Sequence, residues 1–144
     1  MQYTKNQIRE RRMLRLAQLI HDHWEEGSGM DTRLFEVPLL HDSLVLKGRS
    51  IAGVKYREHV VPRALLRDEC LKMFDAGATV VDVKECLLQY LWIVHITEEE
   101  AARLNLSHKV TMPGGWVFGE GNPFARLAAV GIELEPNQAL EPTG

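Results

Sequence analysis

Cysteine is scarce: Cys70 and Cys86 are the only two in 144 residues. Two thiols cannot make the disulfide framework of a small secreted domain, so both read as reduced, apolar core residues of a cytoplasmic protein. Long apolar runs are missing too. Nothing approaches the roughly 18 residues of a membrane-spanning helix, and the polar, then charged N-terminus lacks a signal-peptide core. Basic charge is not in excess: 17 Lys and Arg face 20 Asp and Glu, for a net charge of −3. That excludes a dominant nucleic-acid footprint and leaves room for a local basic face. Several motifs of catalysis and binding are also absent. There is no Gly-x-Ser-x-Gly elbow, and Gly114 and Gly115 with Gly119 and Gly121 lack the Lys-Ser/Thr pair of a phosphate loop. No pair of Cys-x-x-Cys motifs suggests a zinc knuckle.

What is present suits one domain with its own core. Apolar residues make up 45% of the chain and charged residues 26%, and at this length about two-thirds of the unfolded surface can be buried without metal or disulfide. Residues 4–26 predict a helix. Thr4 and Gln7 have capping-box spacing, Met13, Leu16, Ala17, Ile20 and Trp24 share a face, and Gly27 ends the pattern. The other side carries Arg9, Arg11, Arg12 and Arg15, a solvated face or a surface for an acidic partner or phosphate. His21 and His23, two apart on a helix, face different ways and make a poor metal pair.

Residues 30–61 read as extended. Leu34 to Leu40 is broken at an edge or bend by Pro38, Ser43 to Leu46 is a strand, and Lys47-Gly48-Arg49 is a turn. Ser50 to Val54 then returns along that strand, and Tyr56 to Val61 is a further one. Pro62 starts a second helix over 62–76, with Leu66, Cys70, Met73 and Phe74 inward, and Gly77 stops it. Thr79 and Asp82 cap a third helix with Val83, Leu87 and Tyr90 on its apolar side, so the two helices form a hairpin. Trp92 to Ile96 is an apolar run of strand length, and Thr97 with Glu100 caps a short helix to Asn105. A tight loop falls at Met112 to Trp116. Asn122-Pro123 opens a last helix through Val130, and Ile132 to Leu134 is a final short strand.

The predicted fold is therefore α+β. One domain over 1–134 holds a small, mainly antiparallel sheet packed against about four helices, with the 62–91 helical pair at the core of the helical layer. A flexible tail covers 135–144. The long first helix either covers the sheet or pairs with its copy in a homodimer.

Visible chemistry gathers between Tyr56 and Arg63. Glu58-His59-Val60-Val61-Pro62 is similar to the acid-His-apolar-apolar-Pro signature that opens HNH (ββα-metal) nucleases. The resemblance implies that His59 is the general base activating water. It also implies that Glu58 and a later histidine hold one divalent metal against a nucleic-acid phosphate. The family's closing histidine lies on the following helix, where residues 63–76 contain none; His108 and His95 are the later candidates. The same stretch also reads as structure, with Arg57 and Glu58 paired to neighbours on the strand and His59 half-buried and hydrogen-bonded. Trp116 either lines a pocket or interface or plugs the core. The last eight residues, Asn137 to Gly144, resemble the translated tails of proteins encoded on bacterial integron gene cassettes, which implies a mobile-metagenome origin.

Two functions follow. The lack of a complete catalytic set favours a binding module for an unidentified protein or small molecule, with Arg57 and Trp116 among the contacts. The alternative is an HNH-like nuclease in which His59 is catalytic, Glu58 and His108 hold the metal, and nucleic acid is the substrate. Metal–ligand bonds are near 2 Å, so the alternative needs Glu58, His59 and His108 within about 5 Å of one point.

Overall fold

In a computed structural model, which describes residues 2–39 and 44–136, the chain forms one α+β domain. The order is α1 (Lys5–Glu26), a 3-10 helix (Thr32–Leu39), β1 (Leu46–Arg49), β2 (Tyr56–His59), α2 (Arg63–Asp75), α3 (Val80–Tyr90), β3 (Ile93–Ile96), α4 (Glu98–Ser107) and α5 (Ala125–Ala129). The helix starts follow local sequence closely. Thr4, Thr79 and Thr97 each accept from the backbone N–H three residues on, and Gln7, Asp82 and Glu100 reach back to the cap residue. Each such box satisfies two otherwise orphaned amides. Gly27 ends α1 at φ 71°, a left-handed position where a side chain would be strained.

β3 is the centre of a mixed three-stranded sheet, order β1-β3-β2. It runs parallel to β1 and antiparallel to β2. Ile93, Val94 and Ile96 are fully buried, as expected for a strand covered on both faces. Both sheet edges are occupied. The Glu135 amide donates to the Arg49 carbonyl at 2.7 Å, and Leu134 forms a bridge with Ser50. At the other edge, the Arg126 guanidinium takes the carbonyls of His59 and Val60. Such plugging leaves little open backbone for a further strand.

α1 is the organiser of the helical layer. Its Met13, Leu16, Ala17 and Ile20 are buried, and the helix packs mainly on α3, then on α2 and the 3-10 helix. Burying each of the three larger side chains contributes about 1.5–3 kcal/mol. The expected α2–α3 hairpin exists, but those helices touch each other less than either touches α1. The apolar face available for a helix-mediated homodimer is thus covered within the chain. Trp24 fixes the far end, its indole N–H donating to Asp75 at 2.8 Å while its ring packs near Phe74.

Several local expectations shift. Leu34 to Val37 lies in a 3-10 helix rather than an edge strand, because Met30 and Phe35 are drawn into the core and Asp31 caps the turn through the Arg33 amide. Lys47-Gly48-Arg49 is strand, not turn, since β1 pairs with the distant β3 rather than with its own return; the chain reverses at Ser50 to Gly53. Pro62 is the N-cap of α2, not its first residue. The last helix is only Ala125–Ala129, because Asn122 first closes a turn on the Phe124 amide. Glu135, assigned to the tail, is held by Arg49; Ser43 and residues 137–144 lie outside the described residues. No helix among the described residues is long and apolar enough to cross a membrane.

Candidate functional site

Strand alternation decides how the Tyr56–Arg63 stretch is used. Successive side chains of β2 point to opposite faces. Glu58 sits opposite Val94, and His59 opposite Ile93. The acid and the imidazole that adjoin in sequence therefore leave the strand in different directions.

Glu58 meets Arg126, whose Nη2 donates to Glu58 Oε2 at 2.9 Å. Arg126 is 1% exposed and also donates to the carbonyls of Val60 (3.1 Å), His108 (3.0 Å) and His59. Burial pushes the guanidinium's pKa down, and the Glu58 carboxylate pushes it back up. One buried cation thus ties β2, the C-terminal cap of α4 and α5 together. His108 joins through its backbone carbonyl, not its ring.

On the other face, three basic groups converge on one acid from the 3-10 helix. The imidazole Nε2 of His59 lies 2.7 Å from Glu36 Oε2, Arg63 Nη1 donates to the same oxygen at 3.0 Å, and Arg57 Nη1 donates to Oε1 at 2.8 Å. An ionised carboxylate only accepts, so His59 carries its proton on Nε2. The His59 hydrogen bond, followed by the charges of His59 and Arg57, holds the Glu36 carboxyl down at about 2 against the opposing effect of partial burial. Sequence places each participant. Phe35 is fully buried and anchors the 3-10 helix, so its neighbour Glu36 is held at the strand. Arg57 and His59 share a face by the two-residue period of β2, and Arg63 is the first residue of α2. The α2 start has no side-chain cap hydrogen bond, since Pro62 at that position has no polar side chain.

The positions do not bring the proposed metal ligands together. Among the described residues, the one group of three His, Cys, Asp or Glu side chains with ligand atoms within 4.8 Å of one another is His21, Asp22 and Glu25. Glu58, His59 and His108 do not form such a group. His59 is also poorly placed as a general base: Nε2 is taken by Glu36, and Nδ1 is buried without a partner. A base must reach the proton it removes.

Trp116 is half-buried and packs against the core. Its ring packs edge-on to Tyr90 at 5.4 Å, and its N–H donates to the Asn122 carbonyl at 2.8 Å. It also borders a shallow depression of about 370 Å³ with Pro113, Glu120 and Ala125. Tyr90 pins the loop, donating to the Gly121 carbonyl and accepting from the Gly119 amide at 3.0 and 2.9 Å. The Arg9–Arg15 face is less available than its spacing suggests. Arg9 is buried, with its guanidinium 3.5 Å from the centre of the Trp92 ring and bonded to the Leu88 and Leu91 carbonyls. Both thiols are free, and burial raises the pKa of each, which suits apolar packing rather than redox chemistry.

Glu36 is the participant that sequence reading missed. It lies 23 residues before His59, and the one local signal that could have pointed to a shared acceptor is the two-residue spacing of Arg57 and His59 on a strand. Comparison with family models, with curated proteins and with solved structures finds no match to this chain.

Proposed function

We propose that this protein is a binding module for a small anionic molecule, recognised at the Arg57–His59–Arg63 cluster. The observation that carries this reading is the convergence of three basic side chains on a single carboxylate at a partly exposed site. The side chains of Glu36, Arg57 and Arg63 are each about one-third exposed, at 33%, 34% and 35%. Arginine forks suit carboxylate and phosphate oxygens, and their positions here are fixed by a strand and a helix start rather than by a loop. The resemblance of residues 137–144 to cassette-encoded tails supports an accessory, cassette-borne role. The nuclease alternative needs a metal triad, and the opposite directions of Glu58 and His59 count against it.

The test is thermal unfolding with acetate, citrate, phosphate and sulfate, each matched to chloride at equal ionic strength. A ligand of the folded state raises stability by RT ln(1 + [L]/Kd), about 2.7 kcal/mol at a hundred-fold excess over Kd. At least one anion should raise Tm in the wild type and not in Arg63→Ala. No rise above chloride for any of the four would end the reading.

A further inference from the structure

The distribution of donors narrows the ligand class. Glu36 offers two oxygens to three donors. Arg57 has Oε1, while His59 and Arg63 share Oε2. A carboxylate carries one negative charge in one plane. A terminal phosphoryl group has three non-bridging oxygens in a tetrahedral array and close to two negative charges, one oxygen for each donor. A phosphodiester has only two such oxygens and one charge, so it offsets no more of the cluster's positive charge than Glu36 already does. The donor set therefore fits a phosphomonoester-like dianion better than a carboxylate or a nucleic-acid backbone.

Glu36 occupies the place such a group would take. It enters on the Thr32–Leu39 turn, a separate piece of chain from the strand and helix that carry the donors. The three donors belong to elements built into the sheet and helical layer. Exchange of the acid for an external oxyanion thus needs movement of one side chain or its short turn, not of the sheet.

Resting on the anion-binding reading above, we infer that the site takes the terminal phosphoryl group of a small molecule, and that Glu36 is a built-in carboxylate that competes for the same three donors. Free ligand and Glu36 then exclude one another, and removal of the carboxylate tightens binding.

The experiment is calorimetric titration of the full chain with inorganic phosphate, dimethyl phosphate and acetate at constant pH and ionic strength. Wild type, Glu36→Ala, the near-isosteric Glu36→Gln and Arg63→Ala are compared, with circular dichroism to establish folding. Phosphate should bind the wild type at least tenfold tighter than dimethyl phosphate or acetate. Glu36→Ala should tighten phosphate at least tenfold, and Arg63→Ala should weaken it at least tenfold. Equal affinity for acetate and phosphate overturns the phosphoryl assignment while leaving anion binding in place. Unchanged phosphate affinity in folded Glu36→Ala and Glu36→Gln overturns the competition. Absence of binding for all three anions, in the wild type and the Glu36 variants alike, removes the underlying reading as well. The wild-type comparison of phosphate with acetate decides the ligand class even where a variant does not fold.

Discussion

Replacing Arg126 with methionine removes a buried guanidinium and keeps most of its apolar stem. The structure sets the cost. Glu58, 19% exposed at its side chain, loses its cation, and the carbonyls of His59, Val60 and His108 lose a donor. Breaking a buried pair by deleting one partner costs about 3–5 kcal/mol. The residual access of Glu58 to water lowers that figure, and the stranded carbonyls raise it at about 1 kcal/mol or more each if water does not reach them. A net loss of about 4 kcal/mol is expected, a large share of a total stability of about 5–15 kcal/mol. At about 3 °C per kcal/mol, Tm falls by roughly 12 °C. Urea and thermal unfolding followed by circular dichroism measure this directly. Glu58→Gln keeps an acceptor but leaves the buried guanidinium without its counter-charge, and should cost about 3 kcal/mol. The double variant should cost less than the two single losses together, because no charge is left stranded. An Arg126→Met protein within about 1 kcal/mol of wild type would refute the view that this cation joins β2, α4 and α5.

Two further outcomes are expected. Glu36 is depressed from its ordinary 4.5 to about 2, so its ionised form stabilises the fold fully above about pH 4.5, and that contribution is lost as pH falls toward 2. The stability gap between wild type and Glu36→Gln should therefore shrink on acidification, measured by urea unfolding at neutral pH and near pH 3; a gap constant with pH would contradict the pairing. Gly121→Ala puts a methyl group into the indole ring of Trp116, which should destabilise the fold by about 1–3 kcal/mol and shift tryptophan emission to the red. Unchanged emission and Tm would show that the loop does not depend on that close approach.

The features legible in the sequence are those with short-range causes. Thr4, Thr79 and Thr97 each meet a partner three residues away, and all three mark real helix starts. The apolar run at Ile93–Ile96 is buried as its composition requires. The misplaced features depend on distant chain. β1 looks like half of a hairpin until β3, more than forty residues later, supplies a parallel partner. Arg9 sits in a charged stripe and would be solvated, but Trp92 and two carbonyls at the end of α3 offer its guanidinium a face and acceptors. At the candidate site, the two-residue alternation of β2 sets Arg57 and His59 on one face. The same alternation divides Glu58 from His59, against the adjacency that made them resemble a nuclease pair. Neither Glu36 nor Arg126 could be assigned in advance, since the loop closures that deliver them leave no local pattern.

The most direct test of anion binding at this cluster reads the His59 ring itself. A nitrogen-15 and proton correlation spectrum of the imidazoles, taken during a titration with inorganic phosphate, resolves the chain's six histidines. Saturable movement of the His59 resonances, well beyond that of half-buried His23 and abolished in Arg63→Ala, is the predicted result. A His59 ring that stays unmoved at high phosphate, or moves no more than His23, would contradict the account.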